Sequence, residues 1–235
     1  MTGTVCLQGG REFSAACRPM DAALVARAGG PVVVSALAGA PGQDYRMASA
    51  NGVRHFKALG ARRVVAAPDV REDPEGAVAA LRSARLLVLP GGSPARLLDA
   101  LQSTAAGQAV ADLFAADGVV MGASAGAMVL CGWTVLPDRG VQVVPGLGLV
   151  PDVVVVPHWS GERSDWLSAI DVAVPVHATI LGLPEESGVV VRAGQLLAVG
   201  RFATHVIREG RDLQVGQRLQ PADGHTVRWT SPDLG

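Results

Sequence analysis

The sequence is poor in the residues that mark several large classes of protein. Aromatic residues make up 4% of the 235-residue chain, lysine is almost absent, and the formal net charge is -1. Without a lysine or arginine block, the chain has no footprint for nucleic acid or for an acidic membrane surface. No apolar run approaches the length that spans a bilayer, and the N-terminus lacks the pattern of a signal peptide. We therefore expect a cytoplasmic protein that binds neither nucleic acid nor membrane.

Cysteine is also scarce, and its distribution excludes two further classes. Cys6, Cys17 and Cys131 are an odd number, widely spaced and in apolar surroundings. This pattern argues against a disulfide framework and against a zinc site. We expect reduced thiols in the core.

The abundant residues indicate a layered α/β fold. Hydrophobic residues make up 49% of the chain, and in the first half short apolar runs alternate with longer amphipathic stretches. This alternation predicts a mainly parallel, doubly wound sheet, with its ligand site beyond the carboxyl ends of the strands. The predicted strands are 4–8, 31–37, 63–67, 85–89 and 119–121, and the predicted helices are 20–28, 44–59, 74–83, 94–101 and 107–116.

The pattern changes after Leu130, where shorter β-like segments follow one another. They predict a more antiparallel C-terminal part, interrupted by one helix over 160–172. The segments are 141–144, 153–156, 180–183, 189–191, 196–199 and 204–207. Nothing typical of a linker separates the halves, so we expect one α/β domain over 1–235, with the polar segment 220–235 as a loosely packed tail.

The segment Gly122-Ala123-Ser124-Ala125-Gly126 has the pattern of a nucleophile elbow. A serine lies between two glycines, where the apolar run 119–121 is expected to turn into a helix. Small residues let the neighbouring chain pass such a strained turn, which exposes the serine hydroxyl. The Ala125 N–H, at the start of the helix, could donate to an oxyanion. The alternative is a glycine-rich loop that enters a buried helix.

A serine nucleophile needs a histidine base and a group that orients the base. His158 follows the apolar run 153–156 and so stands at the carboxyl end of a predicted strand. Its alternative role is to cap the next helix. The other histidines fit less well, because His55 is expected to be solvated on a helix, His225 lies in the polar tail and His205 in a short strand. His177 could belong either to the surface or to the site.

The candidates for the orienting acid are Glu185 and Glu186, which follow another predicted strand. Asp152 and Asp165 compete with them. We expect Asp152 at the opposite edge of the sheet and Asp165 on the outer face of a helix. The alternative for the glutamate pair is an exposed acidic turn.

A second glycine pair, Gly91-Gly92, follows the predicted strand 85–89. Two glycines let the backbone approach a substrate carbonyl and present an N–H there. The pair could therefore supply the second oxyanion donor. A plain tight turn is the alternative.

Four motifs occur along the chain, namely Leu89-Pro90-Gly91-Gly92-Ser93, Gly122-Ala123-Ser124-Ala125-Gly126-Ala127, Pro157-His158-Trp159 and Gly182-Leu183-Pro184-Glu185. In this order they resemble the aspartyl dipeptidase (dipeptidase E) and cyanophycinase family of serine peptidases. The segments Gly9-Gly10-Arg11-Glu12 and Met20-Asp21 are similar to the cyanophycinase branch. The likeness covers most of the chain, as far as the region of Ile207.

The resemblance implies a flavodoxin-like, three-layer fold related to class I glutamine amidotransferases. It implies a catalytic triad of Ser124, His158 and Glu185, an order that differs from the Ser, acid, His order of α/β-hydrolases. It also implies an oxyanion hole made by the N–H groups of Gly92 and Ala125. Neither a metal nor an organic cofactor takes part in that chemistry.

The resemblance further implies a small peptide substrate of the Asp-X or β-Asp-X type. An N-terminal aspartyl residue requires a cation for its side-chain carboxylate, and Arg11, Arg46 or Arg163 could provide it. Further candidate contacts lie within the motifs: Gly91, Ser93 and Trp159.

Some positions depart from the family pattern. Ser93 stands where asparagine is common, and Glu162 and Ser164 stand where the cyanophycinase type has arginines. These departures disfavour cleavage of the aspartate-arginine polymer. Two other interpretations are an amidotransferase-like hydrolase with a cysteine nucleophile, or a catalytically silent binding protein of the same fold. The sequence leaves a homodimer open.

Overall fold

The computed structural model describes residues 3–138, 140–161 and 163–219. Its helices are α1 (Arg18–Ala28), α2 (Gln43–Ala58), α3 (Pro74–Arg82), α4 (Pro94–Gln102), α5 (Ala106–Ala115), α6 (Ala125–Leu130) and α7 (Ser164–Ala173). Its first strands are β1 (Thr4–Gln8), β2 (Val32–Val34), β3 (Val64–Ala66), β4 (Leu86–Leu89) and β5 (Val119–Ala123). The later strands are β6 (Cys131–Leu136), β7 (Gln142–Pro145), β8 (Val150–Pro157), β9 (Thr179–Leu183), β10 (Ser187–Arg192), β11 (Gln195–Gly200), β12 (Thr204–Val206), β13 (Arg211–Leu213) and β14 (Arg218–Leu219). The expected tail, 220–235, lies outside the described residues.

One sheet contains eight strands of the described chain, in the order β14-β11-β10-β1-β5-β4-β2-β3. The strands β1, β5, β4, β2 and β3 run parallel to one another. Parallel neighbours need a crossover, and the helices between them supply it. β10, β11 and β14 extend the other side of β1 in antiparallel pairs. The predicted α/β fold with a more antiparallel C-terminal part is therefore confirmed.

The described chain forms a second sheet of six strands, in the order β13-β12-β9-β8-β6-β7. Its centre, β6, β8 and β9, is parallel, and its margins are antiparallel. The sequence pattern did not separate these strands into a sheet of their own. It also did not predict β6, which follows directly on α6 without an intervening turn signal.

Two apolar clusters cover the two faces of the first sheet, because side chains alternate along each strand. Val32 and Val34 of β2 face a cluster that includes buried residues of α1 and α2, whereas Val33 faces the other cluster. That second cluster includes α3 to α6 and continues into the second sheet. Helices on both faces of a mainly parallel sheet match the predicted three layers. None of the helices in the described ranges combines the length and the apolar character that crossing a bilayer would take.

Candidate active site

Strand ends from both sheets converge at one place. Ser124 follows β5, and its N–H donates to the carbonyl of Gln8 at the end of the neighbouring strand β1, at 2.9 Å. His158 follows β8 of the second sheet, and its N–H donates to the Gly9 carbonyl at 2.9 Å. Glu186, just beyond β9, donates its N–H to the Gly10 carbonyl at 3.0 Å. The loop after β1 thus joins the two sheets at the edge where the sequence predicted a ligand site.

Ser124 occupies the strained turn that its sequence pattern predicts. Its backbone has φ 49° and ψ -108°, an unusual conformation for a residue other than glycine. A Cβ on Gly122 would lie 2.4 Å from the carbonyl carbon of Gly126, and one on Gly126 would lie 2.2 Å from the Leu89 oxygen. Both flanking glycines are therefore required by close backbone contacts at this turn.

A chain of hydrogen bonds links three side chains at this turn. The Ser124 Oγ lies 2.9 Å from His158 Nε2, and His158 Nδ1 lies 3.0 Å from Glu185 Oε1. His158 itself has φ 52°. A Cβ on Gly10, which has φ 138°, would lie 2.3 Å from the Cε1 of His158. Gly10 therefore leaves the space that the imidazole occupies, a role that the sequence analysis did not assign.

The competing acids have other partners. Glu186 accepts a hydrogen bond from Arg201 at 3.0 Å, and this bond, together with the nearby charge of Arg11, lowers the pKa of the Glu186 carboxyl. Arg11 Nε lies 3.8 Å from a carboxylate oxygen of both Glu185 and Glu186. Asp152 lies within β8 and pairs with His177 at 3.6 Å. Of these acids, Glu185 is the one that contacts His158.

In the glycine loop after β4, the N–H groups of the two glycines differ in their hydrogen bonds. The Gly91 N–H donates to Glu12 Oε1 at 2.7 Å. Gly92 has φ 143°, and a Cβ there would lie 2.5 Å from the Ala38 carbonyl oxygen. The N–H of Gly92 has no acceptor within the part of the chain that the structure describes. Ala125 is the first residue of α6, so its N–H has no partner within that helix.

Two residues predicted to contact the substrate, Ser93 and Trp159, have partners within the protein. The Ser93 hydroxyl accepts from the Arg96 N–H at the start of α4, at 3.3 Å, and donates to Asp138 at 3.1 Å. The Trp159 indole stacks on the imidazole of His205 with 5.6 Å between ring centroids. Ser93 therefore has a structural role as a helix cap, and Trp159 is partly buried against the core and His205.

The three candidate arginines lie in different surroundings. Arg11 contacts Glu185 and is largely exposed. Arg163 places its guanidinium over the ring of Trp166, 5.0 Å from the ring centroid. Arg46, on α2, lines a separate cavity of about 530 Å³ beside β3. Glu162, one of the positions that differ from the family pattern, lies outside the described residues.

The interpretation of His55 as a solvated residue is wrong. Its side chain is 5% exposed, and its Nε2 lies 2.7 Å from Asp21, which is fully buried. Asp21 also accepts from the side chain of Gln8 at 2.6 Å. The helix carries charged neighbours around His55, which hid this inward-facing position in the sequence. His205 pairs with Asp212 at 2.8 Å, and His225 lies outside the described residues.

The three cysteines are buried and unpaired by disulfides. Burial raises the pKa of the Cys131 thiol, whose sulfur donates to the Ala127 carbonyl at 3.2 Å. A thiol in this state is a poor nucleophile. Among the described residues, no group of three or more histidine, cysteine, aspartate or glutamate side chains is arranged to hold a metal ion.

Sequence reasoning singled out the loop of Gly10, Arg11 and Glu12 but gave Glu12 no function. The structure brings the Glu12 carboxylate to the glycine loop beside Ser124, since a Cβ on Gly91 would lie 3.1 Å from Glu12 Oε1 and 3.3 Å from the Ser124 Cβ. The available signal was its place just beyond the carboxyl end of β1.

Comparisons with known proteins identify the family of the chain. The model of peptidase family S51 matches residues 40–199, a range that contains the serine, the histidine and the glutamate. A peptidase from an acI-B1 actinobacterium is 24% identical with a TM-score of 0.80, and the alignment covers 94% of this chain and 97% of that one. A peptidase E protein from Listeria monocytogenes EGD-e is 16% identical with a TM-score of 0.64, covering 86% of this chain and 100% of that one. No curated protein matches the chain.

Proposed function

The chain belongs to peptidase family S51 and is therefore a serine peptidase, and we propose that it removes N-terminal residues from short peptides through Ser124, His158 and Glu185. The observation that carries the proposal is the hydrogen-bond chain from the serine hydroxyl through the imidazole to the carboxylate. Such a chain activates a hydroxyl that is otherwise a weak nucleophile at neutral pH.

In the proposed reaction, His158 takes the proton of the Ser124 hydroxyl while Oγ forms a bond to the scissile carbonyl carbon. The N–H groups of Gly92 and Ala125 hold the resulting oxyanion. His158 then gives its proton to the leaving amine as the peptide bond breaks. Water attacks the acyl-enzyme in the same way and releases the acid.

Glu185 has an orienting role in this scheme. Its carboxylate accepts from His158 Nδ1, which fixes the tautomer that leaves Nε2 free to accept the serine proton, and it stabilises the imidazolium. Arg11 lies beside the same carboxylate, 3.8 Å away. This contact limits how far Arg11 is available to a substrate carboxylate, so the cation for an aspartyl side chain stays a choice among Arg11, Arg46 and Arg163.

The substrate class that we propose is a dipeptide of the Asp-X or β-Asp-X type. Its test is a screen of Asp-X, β-Asp-X and unrelated dipeptides with the wild type, with Ser124→Ala and with Ser83→Ala. Ser83 caps the end of α3 before β4 begins, so it lies at the opposite end of that strand from Gly91 and Gly92, and it is exposed. We expect Ser124→Ala to lower turnover by about 10⁴-fold or more, and Ser83→Ala to leave it unchanged. Full activity of Ser124→Ala on the hydrolysed dipeptide would overturn the mechanism.

We also propose that residues 1–235 form one folding domain. One apolar cluster includes α3 to α6 of the first sheet and also side chains of the second sheet, such as Val154 and Leu181. A shared core is expected to unfold as a unit. Denaturant unfolding followed by tryptophan fluorescence and by circular dichroism should give coincident transitions, and two separate transitions would contradict the proposal.

A further inference from the structure

The loop after β1 brings a carboxylate to the nucleophile that the triad does not use. Glu12 is half-buried, and its Oε1 accepts from the Gly91 N–H at 2.7 Å. The position that a Cβ on Gly91 would occupy is 3.1 Å from this oxygen and 3.3 Å from the Ser124 Cβ. Glu12 therefore lies at the reaction centre, on the side of the glycine loop.

The charge of Glu12 has no counterpart among the described residues. Glu185 is held by His158 and Arg11, and Glu186 is held by Arg201 and Arg11. Glu12 takes part in no ion pair in the described ranges, and its one hydrogen bond comes from a neutral amide. A partly buried carboxylate without a cation is costly, and it gains most from a ligand that brings one.

The same charge opposes the proposed chemistry unless it is neutralised. The tetrahedral intermediate places a negative oxygen at the N–H groups of Gly92 and Ala125, close to the Glu12 carboxylate. Two like charges a few ångströms apart in a partly dehydrated site repel each other strongly. A substrate cation at Glu12 would remove this repulsion and would favour the transition state over the free enzyme.

A peptide cleaved at its first bond carries such a cation in the right place. In an α-linked Asp-X peptide its α-nitrogen is two bonds from the scissile carbonyl carbon, about 2.5 Å away, and in a β-linked one it is three bonds away. With that carbon bonded to Ser124 Oγ, the ammonium lies beside the serine, where the glycine loop also brings the Glu12 carboxylate. We infer that Glu12 binds the free α-ammonium of the substrate and so restricts the enzyme to peptides with an unblocked N-terminus. This inference rests on the proposed peptidase function.

The matched variant is Glu12→Gln, which keeps an oxygen to accept the Gly91 N–H and removes only the charge. Glu75→Gln is its control, because Glu75 is an exposed glutamate at the start of α3. The probes are Asp-Leu and β-Asp-Leu, each with a free and with an N-acetylated α-amine. Labelling of Ser124 by a fluorophosphonate, which has no amine, reports whether the nucleophile remains competent in each variant.

For the wild type and Glu75→Gln, we expect kcat/KM to be higher for the free amine than for its acetylated form. In Glu12→Gln, kcat/KM for the free amine should fall about 10- to 100-fold, the worth of a hydrogen bond between charged groups. The acetylated peptide should be unaffected or cleaved faster, and fluorophosphonate labelling should continue. In the wild type, the ratio of kcat/KM for the free amine to that for the acetylated form should also decline above about pH 8, where α-amines lose their proton. This decline should be absent in Glu12→Gln.

Different results separate the failure of this inference from that of the proposed function. Equal losses on free and acetylated peptides, or an unchanged preference in Glu12→Gln, would overturn the role of Glu12 and leave the peptidase mechanism intact. If the wild type cleaves none of these peptides although its serine is labelled, the proposed substrate class fails and the inference fails with it. Absence of labelling in the wild type would overturn the nucleophile itself.

Discussion

Gly10 offers the sharpest test of how the loop after β1 positions the base. In Gly10→Ala, the new Cβ would lie 2.3 Å from His158 Cε1 and 2.6 Å from Nδ1. Carbon atoms in contact are normally about 3.5 Å apart, so the imidazole must move by about 1 Å. The Oγ to Nε2 distance is now 2.9 Å, and a shift of that size takes it beyond hydrogen-bond range.

We expect Gly10→Ala to lower the rate of Ser124 labelling and of peptide hydrolysis by about 100-fold, the usual effect of a 1 Å misplacement. The backbone at position 10 has φ 138°, which is unfavourable for alanine, so we also expect the free energy of unfolding to fall by about 1–3 kcal/mol. Gly29→Ala is the control, because Gly29 has φ 61° and open space around it. It should lose about 1–2 kcal/mol and keep full activity. A folded Gly10→Ala protein that reacts at the wild-type rate would refute the reasoning.

Four further outcomes follow from the contacts of the site and the core. Glu185→Gln should lower kcat by about 10⁴-fold, as loss of a triad acid does, whereas Glu186→Gln should keep most of the activity; steady-state kinetics on one dipeptide compares them. The pKa of Glu186 is lowered in the folded protein, so its carboxylate contributes fully to stability above its ordinary pKa, and the contribution is lost as the pH falls from that value to the lowered one. In Glu186→Gln the free energy of unfolding should therefore depend less on pH over this range. Iodoacetamide should leave Cys131 unmodified in the folded protein and should not inhibit it, as peptide mass mapping would show, since its thiol is buried with a raised pKa. His55→Ala leaves a buried oxygen of Asp21 without its partner and should lower the free energy of unfolding by about 1–3 kcal/mol in urea titrations.

The parallel part of the fold could be predicted from sequence because its signals are local. Each early strand is a short apolar run, and helix starts carry proline, as at Pro74 and Pro94. The second sheet could not be predicted in the same way. Its strands have the same short apolar character as β10 and β11, and nothing in the local pattern indicates which sheet a strand joins.

The candidate triad could be proposed from strand ends, because parallel strands bring their carboxyl ends to one edge. Sequence reasoning alone could not choose between Glu185 and Glu186, which are adjacent. The choice depends on the turn at Glu186, which has φ 61° and directs its side chain towards Arg201. The contact between Glu12 and Gly91 joins positions 79 residues apart in the chain, so the position of Glu12 after β1 indicated the edge of the sheet where it lies but not this partner.

The most direct test of the central claim is whether Ser124 is the nucleophile that His158 activates. A fluorophosphonate should add to the folded wild type in a one-to-one ratio, and peptide mapping by mass spectrometry should place the adduct on Ser124. Labelling should be absent in Ser124→Ala and slowed by several orders of magnitude in His158→Ala. An adduct on another residue, or labelling of Ser124 at an unchanged rate in His158→Ala, would contradict the account.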